Sequence, residues 1–306
     1  ITVGRGSLID DTLEILRSNA GKKPKHHQLF VGPRGMGKTH LLSLVEDEIS
    51  RDETLAKAYH VARFPEESNR TLSFADFLLG LVEILRDTLP EEGDWAELHG
   101  RLATEMDDKI IIDTLVPLIR ERYRKTKQAV LVMVENLNQI FDEQIKDGRS
   151  IAAIRGFFME GNGCLLMATA PIDFDSVNDP KEPFYDFFDT QYLDQLSDEE
   201  TIELIRRNLE WEKRGDILEN FRELRPRLLS IYRMTGGSPR LVLMLYELIA
   251  NEAIMDVKKQ FQILLDRITP YFQDRMNDLG PQERAILETM ALMRSEPKTP
   301  SAIASQ

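Results

Sequence analysis

The sequence predicts an α/β fold in which a parallel sheet lies between layers of helices and is followed by a helical region. Residues 28–31 form a short apolar strand that enters a glycine-rich loop at 32–39, and a helical pattern begins directly afterwards. Residues 129–134 and 165–168 are continuous apolar runs, typical of parallel strands buried on both faces. Strand patterns end at about residue 190, and helix follows helix from there.

Periodicity predicts the other elements of the sheet region. Apolar residues at helical spacing indicate amphipathic helices, and Pro117 can bend one of them. In chain order we expect a helix over 8–19, a strand over 58–64, and helices over 74–89 and 110–123.

Composition and charge limit the classes of function. The 306 residues carry a formal net charge of −13, which argues against nucleic-acid binding over the whole surface because phosphates need a concentrated basic face. No apolar run is long enough for a membrane span. The single cysteine, Cys164, excludes an intrachain disulfide framework. The chain starts at Ile1 without a charged-then-apolar leader, so we expect a cytoplasmic protein without a membrane partner.

A small basic cluster precedes the first strand. It consists of Lys22, Lys23, Lys25, His26 and His27. We expect a solvated loop here, because two adjacent histidines without a nearby cysteine or acid do not form a metal site.

The glycine-rich loop carries the most informative chemistry. Residues 32–39 read Gly-Pro-Arg-Gly-Met-Gly-Lys-Thr and match G-x-x-x-x-G-K-[ST], the Walker A phosphate-binding loop. Its glycines let the backbone curl so that N–H groups surround an anion. Lys38 is expected to reach the β- and γ-phosphates, and the Thr39 hydroxyl to hold Mg²⁺. The predicted binding residues of this segment are Gly32, Pro33, Arg34, Gly35, Met36, Gly37, Lys38, Thr39 and His40.

Two strand ends supply further polar groups. Glu135 and Asn136 directly follow the apolar run over 129–134. An acid at this point is expected to reach the water shell of Mg²⁺. Asn136 cannot accept a proton and therefore cannot act as a general base. Thr169 ends the next strand, where its hydroxyl either orients the attacking water or simply closes the strand before Pro171.

Capping patterns predict where two helices of the C-terminal helical region begin. Ser197 and Glu200 have the spacing of a capping box. Residues 236–240 read Gly-Gly-Ser-Pro-Arg and open an apolar helix, with proline in the first turn and serine before it. Arg240 either swings onto the phosphates or is a surface arginine.

The order of these motifs resembles that of AAA+ ATPases, most of all the branch that contains the origin-recognition initiators, the archaeal ATPases and the STAND signalling ATPases. The similarity covers about residues 1–250 and includes Val3-Gly4-Arg5, which is similar to the segment over the adenine in this branch. It implies a P-loop NTPase core with ATP and Mg²⁺ as ligands. It also implies roles for single residues: Lys38 and Thr39 in Walker A, Glu135 as the Walker B acid and Mg²⁺ ligand, Thr169 as sensor 1, Arg240 as sensor 2, and Gly4 and Arg5 near the base.

Two departures from the family pattern bear on turnover. The family usually has Asp-Glu, Asp-Asp or Asp-Asn at the Walker B tip, whereas this chain has Glu-Asn, which predicts binding with inefficient hydrolysis. The family's arginine finger usually follows sensor 1 and is worth about 10³–10⁵ in rate. Between Arg155 and Arg206 this chain has no arginine, and Lys181 is its only basic residue there. A hexameric motor activated in trans is therefore disfavoured.

The last residues resemble the first half of a winged helix-turn-helix domain. A helix is expected to start within 279–287 and another within 299–304. A helical oligomerisation cap fits the same pattern, and DNA readout cannot be inferred without a recognition helix. We expect a nucleotide-binding core over 1–190, a helical lid over 191–255 and the start of a third helical unit over 256–306.

Three functional interpretations follow from the sequence. The first is an ATP-dependent switch that hydrolyses slowly and couples its nucleotide state to self-assembly or to a protein partner. The second is an initiator-like or regulatory DNA-binding ATPase that uses the C-terminal segment. The third is a nucleotide-bound scaffold without turnover. The intact phosphate loop and the depleted catalytic groups around it favour the switch.

Overall fold

The computed structural model describes most of the chain up to residue 251 and a helix near the C-terminus. The described residues are 2–21, 26–65, 71–92, 94–161, 163–251, 279–293 and individual positions between 262 and 276. More than half of the expected third unit, including residues 299–304, lies outside them.

Within these residues, five strands form one parallel sheet. They are β1 (His27–Val31), β2 (Tyr59–Arg63), β3 (Ala129–Val134), β4 (Cys164–Ala170) and β5 (Phe188–Tyr192). The spatial order is β2-β3-β4-β1-β5, and every neighbouring pair is parallel. The α/β fold with a parallel P-loop sheet and a helical region is confirmed.

Helices cover the sheet and continue beyond it. They are α1 (Gly6–Asn19), α2 (Lys38–Arg51), α3 (Glu53–Ala58), α4 (Phe74–Thr88), α5 (Trp95–Leu102), α6 (Asp108–Thr126), α7 (Gly148–Met159), α8 (Asp175–Asn178), α9 (Asp198–Trp211), α10 (Gly215–Leu218), α11 (Arg225–Thr235), α12 (Pro239–Asn251) and α13 (Pro281–Leu292). A π-helical turn, Gln139–Gln144, follows β3. Among the described helices, none is both long and apolar enough to cross a membrane.

Strand residues alternate between two apolar cores, one on each face of the sheet. In β3, Val132 and Val134 pack with side chains of α4, α6 and α7. Leu131 and Met133 pack with α1 and α2 on the opposite face. The continuous apolar pattern of β3 therefore reflects burial on both faces.

The Walker A loop starts between two neighbouring strands. The Gly32 N–H donates to the carbonyl of Ala170 at 3.1 Å, and the Leu193 N–H donates to that of Val31 at 2.8 Å. These bonds extend the ladders on both sides of β1 beyond the strand itself. Because the strands are parallel, all their carboxyl ends lie along this same edge of the sheet.

Strand β5 crosses the expected end of the sheet region at residue 190 and continues to Tyr192. Its sequence is Phe-Asp-Thr-Gln-Tyr, and none of these residues is fully buried. The strand lies at the sheet edge and pairs only with β1, where polar side chains are common. An apolar pattern therefore did not mark it.

His27 lies in the core, which corrects the expectation of a solvated loop at this position. It begins β1, is buried, and stacks on Phe187 with ring centroids 4.2 Å apart. Its Nδ1 accepts a hydrogen bond from the Leu166 N–H at 3.0 Å. Burial, with smaller effects of His26 and Arg155, lowers the pKa of His27 to about 3. The ring is therefore neutral and structural.

Helices α9 to α12 lie within the segment expected to form a lid (191–255), here called the lid, and share a core of their own. Ile202, Leu228 and Leu245 are buried there together. The predicted capping box is present, since Ser197 Oγ accepts from the Glu200 N–H at 3.2 Å and the Glu200 carboxylate accepts from the Ser197 N–H at 2.7 Å.

Gly163 tests the packing of β4 against α6. Its φ is +74°, and a Cβ atom there would lie 2.1 Å from Cγ of Tyr123. We expect Gly163→Ala to lower the free energy of unfolding by about 1–3 kcal/mol, measured by denaturant titration. Gly156→Ala in α7 is the control because no other group lies within 4 Å of its added Cβ, and alanine favours a helix by about 0.5–1 kcal/mol. Equal effects of the two substitutions would contradict this packing.

Candidate functional site

The Walker A loop has the backbone of an anion-binding turn. Gly35 and Gly37 have φ of +90° and +87°, which side chains other than glycine rarely adopt. Helix α2 begins at Lys38. Lys38 Nζ donates to the carbonyls of Gly32 at 2.6 Å and Pro33 at 3.2 Å. The ammonium group therefore lies within the curl of the loop.

A cavity of about 1290 Å³ lies between the carboxyl edge of the sheet and the lid. Glu135 and Thr169 line it. Nine of the predicted binding residues also line it: Arg5, Arg34, Gly35, Met36, Gly37, Lys38, Thr39, His40 and Arg240. Gly4, Gly32 and Pro33 lie outside its lining. Gly4 packs against Leu196 and Glu200, and Gly32 packs against Leu193.

The two predicted metal-binding side chains contact each other. Thr39 Oγ1 donates to Glu135 Oε2, and Arg63 Nη2 donates to Glu135 Oε1 at 2.6 Å. The Glu135 side chain is only 4% exposed, and a buried carboxylate needs such partners. Sequence reasoning missed Arg63. Arg63 is the last residue of β2. The signal that identified Glu135, a charged residue at the carboxyl end of a predicted strand, also marks Arg63.

Arg63 is held by several groups at once. Its Nη1 donates to Ser43 Oγ at 2.9 Å and lies 3.4 Å from Glu46 Oε2. Burial alone would lower the pKa of Arg63, but the hydrogen bonds and charges of Glu135 and Glu46 outweigh burial and raise it. Arg63 is therefore a fixed positive charge beside the Thr39–Glu135 contact.

The backbone turns sharply at the tip of β3. Asn136 has φ of +52°, a left-handed conformation that asparagine adopts more readily than most residues. Its N–H donates to Thr169 Oγ1 at 3.2 Å, which links the tips of β3 and β4. Gln139 begins the π-helical turn and also lines the cavity. No strand-end or helix-end pattern marks Gln139 in the sequence.

The lid contacts the Walker A loop at Arg240. The Arg240 N–H donates to the Gly35 carbonyl at 3.3 Å, and a Cβ atom on Gly35 would lie 2.9 Å from Cβ of Arg240. The Leu196 N–H donates to the Gly237 carbonyl at 2.9 Å, which ties the start of the lid to the turn before α12. The bare glycine backbone thus lets α12 approach the phosphate loop.

The N-terminal segment connects this cavity to the lid. Arg5 Nη2 donates to the Asp194 carbonyl at 2.5 Å, and Arg207 of α9 donates to the Thr2 carbonyl at 2.6 Å. Burial lowers the pKa of Arg5, although the charges of Glu200 and Asp194 oppose this effect. Helix α1 follows and packs on α2, so the segment joins both parts of the molecule.

Helix α9 forms a wall of the cavity that the sequence did not reveal. Leu204, Asn208 and Trp211 lie on successive turns of one face and line the cavity. Trp211 is 76% exposed at the rim, whereas Trp95 is buried in the sheet core.

Solved structures share this architecture. PABY2304, a Walker-type ATPase of Pyrococcus abyssi, has a TM-score of 0.61 and 12% identity over 95% of this chain and 80% of its own. The ORC2 protein of Aeropyrum pernix, in ADPNP and ADP complexes, has a TM-score of 0.60 and 12% identity, covering 85% and 68%. The ORC1 protein of Aeropyrum pernix, in complex with DNA, has a TM-score of 0.55 and 10% identity, covering 96% and 73%.

The chain shares the fold of these ATPase and ORC structures. This confirms, for the fold, the resemblance that the motifs indicated. No protein-family model matches the chain, and comparison with curated proteins finds no match. The roles of individual side chains in this fold therefore rest on the geometry of the site.

The donor set of the site suits Mg²⁺ bound together with a nucleotide. In the described part of the chain, no group of three or more His, Cys, Asp or Glu side chains could hold a metal alone. Mg²⁺ commonly takes one or two protein oxygens and completes its shell with phosphates and water. Thr39 and Glu135 offer a hydroxyl and a carboxylate in direct contact, so these residues fit the ion.

Arg5 tests the link between the N-terminal segment and the lid. Arg5→Ala removes the hydrogen bonds to the carbonyls of Gly4 and Asp194, and we expect the free energy of unfolding to fall by about 1 kcal/mol. Lys57→Ala is the control because Lys57 and its partner Glu53 are both highly exposed and such pairs contribute little. A denaturant titration in which Arg5→Ala is no more costly than Lys57→Ala would contradict the link.

Proposed function

We propose that this protein is a cytoplasmic, ATP-binding AAA+ switch that hydrolyses ATP slowly. The observation that carries the proposal is the convergence of three groups on one cavity: Lys38, the Thr39–Glu135 pair, and Arg240 of the lid. Together they offer a cation for the phosphates, oxygen donors for Mg²⁺, and a second cation that depends on the lid.

Each group has a distinct role in the proposed reaction. The loop N–H groups and Lys38 bind the β- and γ-phosphates. When bound, Mg²⁺ neutralises charge that develops on the phosphates. Thr169 orients the attacking water, and Arg240 clamps the lid onto the γ-phosphate. Lys38, Glu135, Thr169 and Arg240 are thus the proposed catalytic residues, with Mg²⁺ held by Thr39 and Glu135.

Turnover would be slow because the described side chains near the attacking water include no free general base. Asn136 cannot accept a proton, and the Glu135 carboxylate already accepts bonds from Thr39 and Arg63. The absence of arginine between Arg155 and Arg206 disfavours a finger donated to a neighbouring subunit. An ATP-bound state that persists suits a switch better than a motor.

The switch would be read out through the lid. We propose a nucleotide-binding core over 1–190 and a lid over 191–255, whose contact through Arg240 changes with the nucleotide. Self-assembly or binding of a protein partner would then depend on the lid position. The segment 256–306 would serve as a further helical unit.

A second candidate is an initiator-like or regulatory DNA-binding ATPase. Helix α13 begins at Pro281, within the span expected for the first half of a winged helix-turn-helix domain. The similar ORC1 structure is a complex with DNA, which supports this reading as an alternative.

Substitution of Lys38 tests the proposed nucleotide binding. We expect Lys38→Ala to weaken ATP binding by at least about a hundredfold, because it removes the ammonium group that meets the phosphates. Lys181→Ala is the control, since Lys181 is an exposed lysine that does not line the cavity. Calorimetry measures binding, light scattering in ATP and in ADP measures assembly, and phosphate release with and without DNA measures turnover.

The outcomes of this experiment separate the three readings. Turnover that is lost in Lys38→Ala would eliminate a scaffold without hydrolysis, and stimulation by DNA would favour the second candidate. Equal ATP affinity of wild type and Lys38→Ala would remove the proposal.

Asn136 tests the cause of slow turnover. Asn136→Asp adds a carboxylate in a backbone conformation that aspartate also tolerates, and we expect turnover to rise at least about tenfold. Asn136→Gly keeps the backbone free to adopt the same φ without adding a base, so it should give no gain. Wild-type turnover well above about one per second, with no gain in Asn136→Asp, would contradict the explanation.

A further inference from the structure

The Glu135 carboxylate has two partners on its two oxygens. Thr39 donates to Oε2, and Arg63 donates to Oε1 at 2.6 Å. A divalent ion at Thr39 and Glu135 must therefore compete with a guanidinium group for the carboxylate. We propose that Arg63 is a positioning residue that competes with Mg²⁺ for Glu135 and so makes nucleotide binding only weakly dependent on Mg²⁺. This inference rests on the proposed nucleotide site.

The guanidinium is fixed in place by helix α2. Arg63 Nη1 donates to Ser43 Oγ at 2.9 Å and pairs with Glu46 at 3.4 Å. Ser43 is itself anchored, because its hydroxyl donates to the Thr39 carbonyl at 3.0 Å. Arg63 is thus held against the same first turns of α2 that present the Thr39 hydroxyl.

The burial of the pair makes the competition strong. The Glu135 side chain is 4% exposed and that of Arg63 is 25% exposed, so water screens their attraction less than it would at the surface. An Mg²⁺ ion at Glu135 would meet the positive charge of Arg63 at short range. Entry of the metal therefore requires Arg63 to give up Glu135 and keep Glu46, whose side chain is 42% exposed.

The cavity also contains cations that can balance phosphate charge without a metal. Arg34, Lys38 and Arg240 line it together with Glu135. A nucleoside diphosphate can therefore bind through side-chain and backbone donors before Mg²⁺ arrives. Arg63 would then set the Mg²⁺ concentration at which the metal joins the complex.

The test is ADP affinity, measured by calorimetry from excess chelator to millimolar Mg²⁺. ADP avoids hydrolysis, and formation of Mg²⁺–ADP in solution is the same for every variant. We expect wild-type affinity to change little with Mg²⁺. In Arg63→Gln, which frees Glu135 for the metal, ADP affinity should rise at least about tenfold over the same Mg²⁺ range. Arg51→Gln is the control, because Arg51 is an exposed arginine of α2 paired with Asp47, and its Mg²⁺ curve should match wild type.

A double-mutant cycle shows whether Arg63 acts through Glu135. In the Glu135→Gln background, adding Arg63→Gln should leave the Mg²⁺ curve unchanged, and this double variant also removes the risk of a buried unpaired carboxylate. If Arg63→Gln does not fold, Arg63→Lys replaces it, because a lysine keeps the charge but cannot bond to Glu135 and helix α2 at the same time. Its Mg²⁺ curve should lie between those predicted for wild type and Arg63→Gln.

Two results would overturn the inference. One is a lowered melting temperature in the Arg63 variants with a Mg²⁺ curve identical to wild type, which is what a purely structural ion pair would give. The other is strong Mg²⁺ dependence in wild type. Failure of the underlying site would look different, because ADP would then bind neither wild type nor any variant at any Mg²⁺ concentration.

Discussion

Strand β1 is hydrogen-bonded to β4 on one side and to β5 on the other. These two ladders fix the position of β1 and therefore of the first residue of the phosphate loop. The bonds from Gly32 to Ala170 and from Leu193 to Val31 continue both ladders past the strand end. The loop therefore leaves the sheet from a fixed point, and the chain that leads into the lid leaves from the neighbouring position. Loop and lid can meet at Gly35 and Arg240 because both are anchored to the same strand.

The charges along the sheet edge are balanced locally, in contrast to the chain as a whole. The molecule carries a net charge of −13, yet the cavity lining includes Arg5, Arg34, Lys38 and Arg240. Arg63 neutralises Glu135, which also lines the cavity. An acidic protein can attract phosphate groups in this way, because clefts focus the field of their own walls.

The sequence predicted those parts of the fold that are marked by burial or by backbone chemistry. The apolar runs of β3 and β4 predict them because both of their faces are covered, and the match to G-x-x-x-x-G-K-[ST] predicts the loop, whose glycines adopt positive φ. β5 was not recognised because its edge position allows Asp189, Thr190 and Gln191. The Arg63–Glu135 contact was missed for another reason: it depends on β2 lying beside β3, and lateral strand order leaves no local trace in the chain.

The positions of the two tryptophans have an optical consequence. Trp95 is 6% exposed in the sheet core, and Trp211 is 76% exposed at the rim of the cavity. Indole emission shifts to longer wavelength in a polar environment, so exposed Trp211 should emit at longer wavelength than buried Trp95. A soluble quencher also reaches the ring of Trp211 more easily than that of Trp95. A movement of α9 of the kind proposed for the switch would change the surroundings of Trp211, whereas Trp95 would serve as an internal reference. The two tryptophans would therefore report the proposed lid movement without an added label.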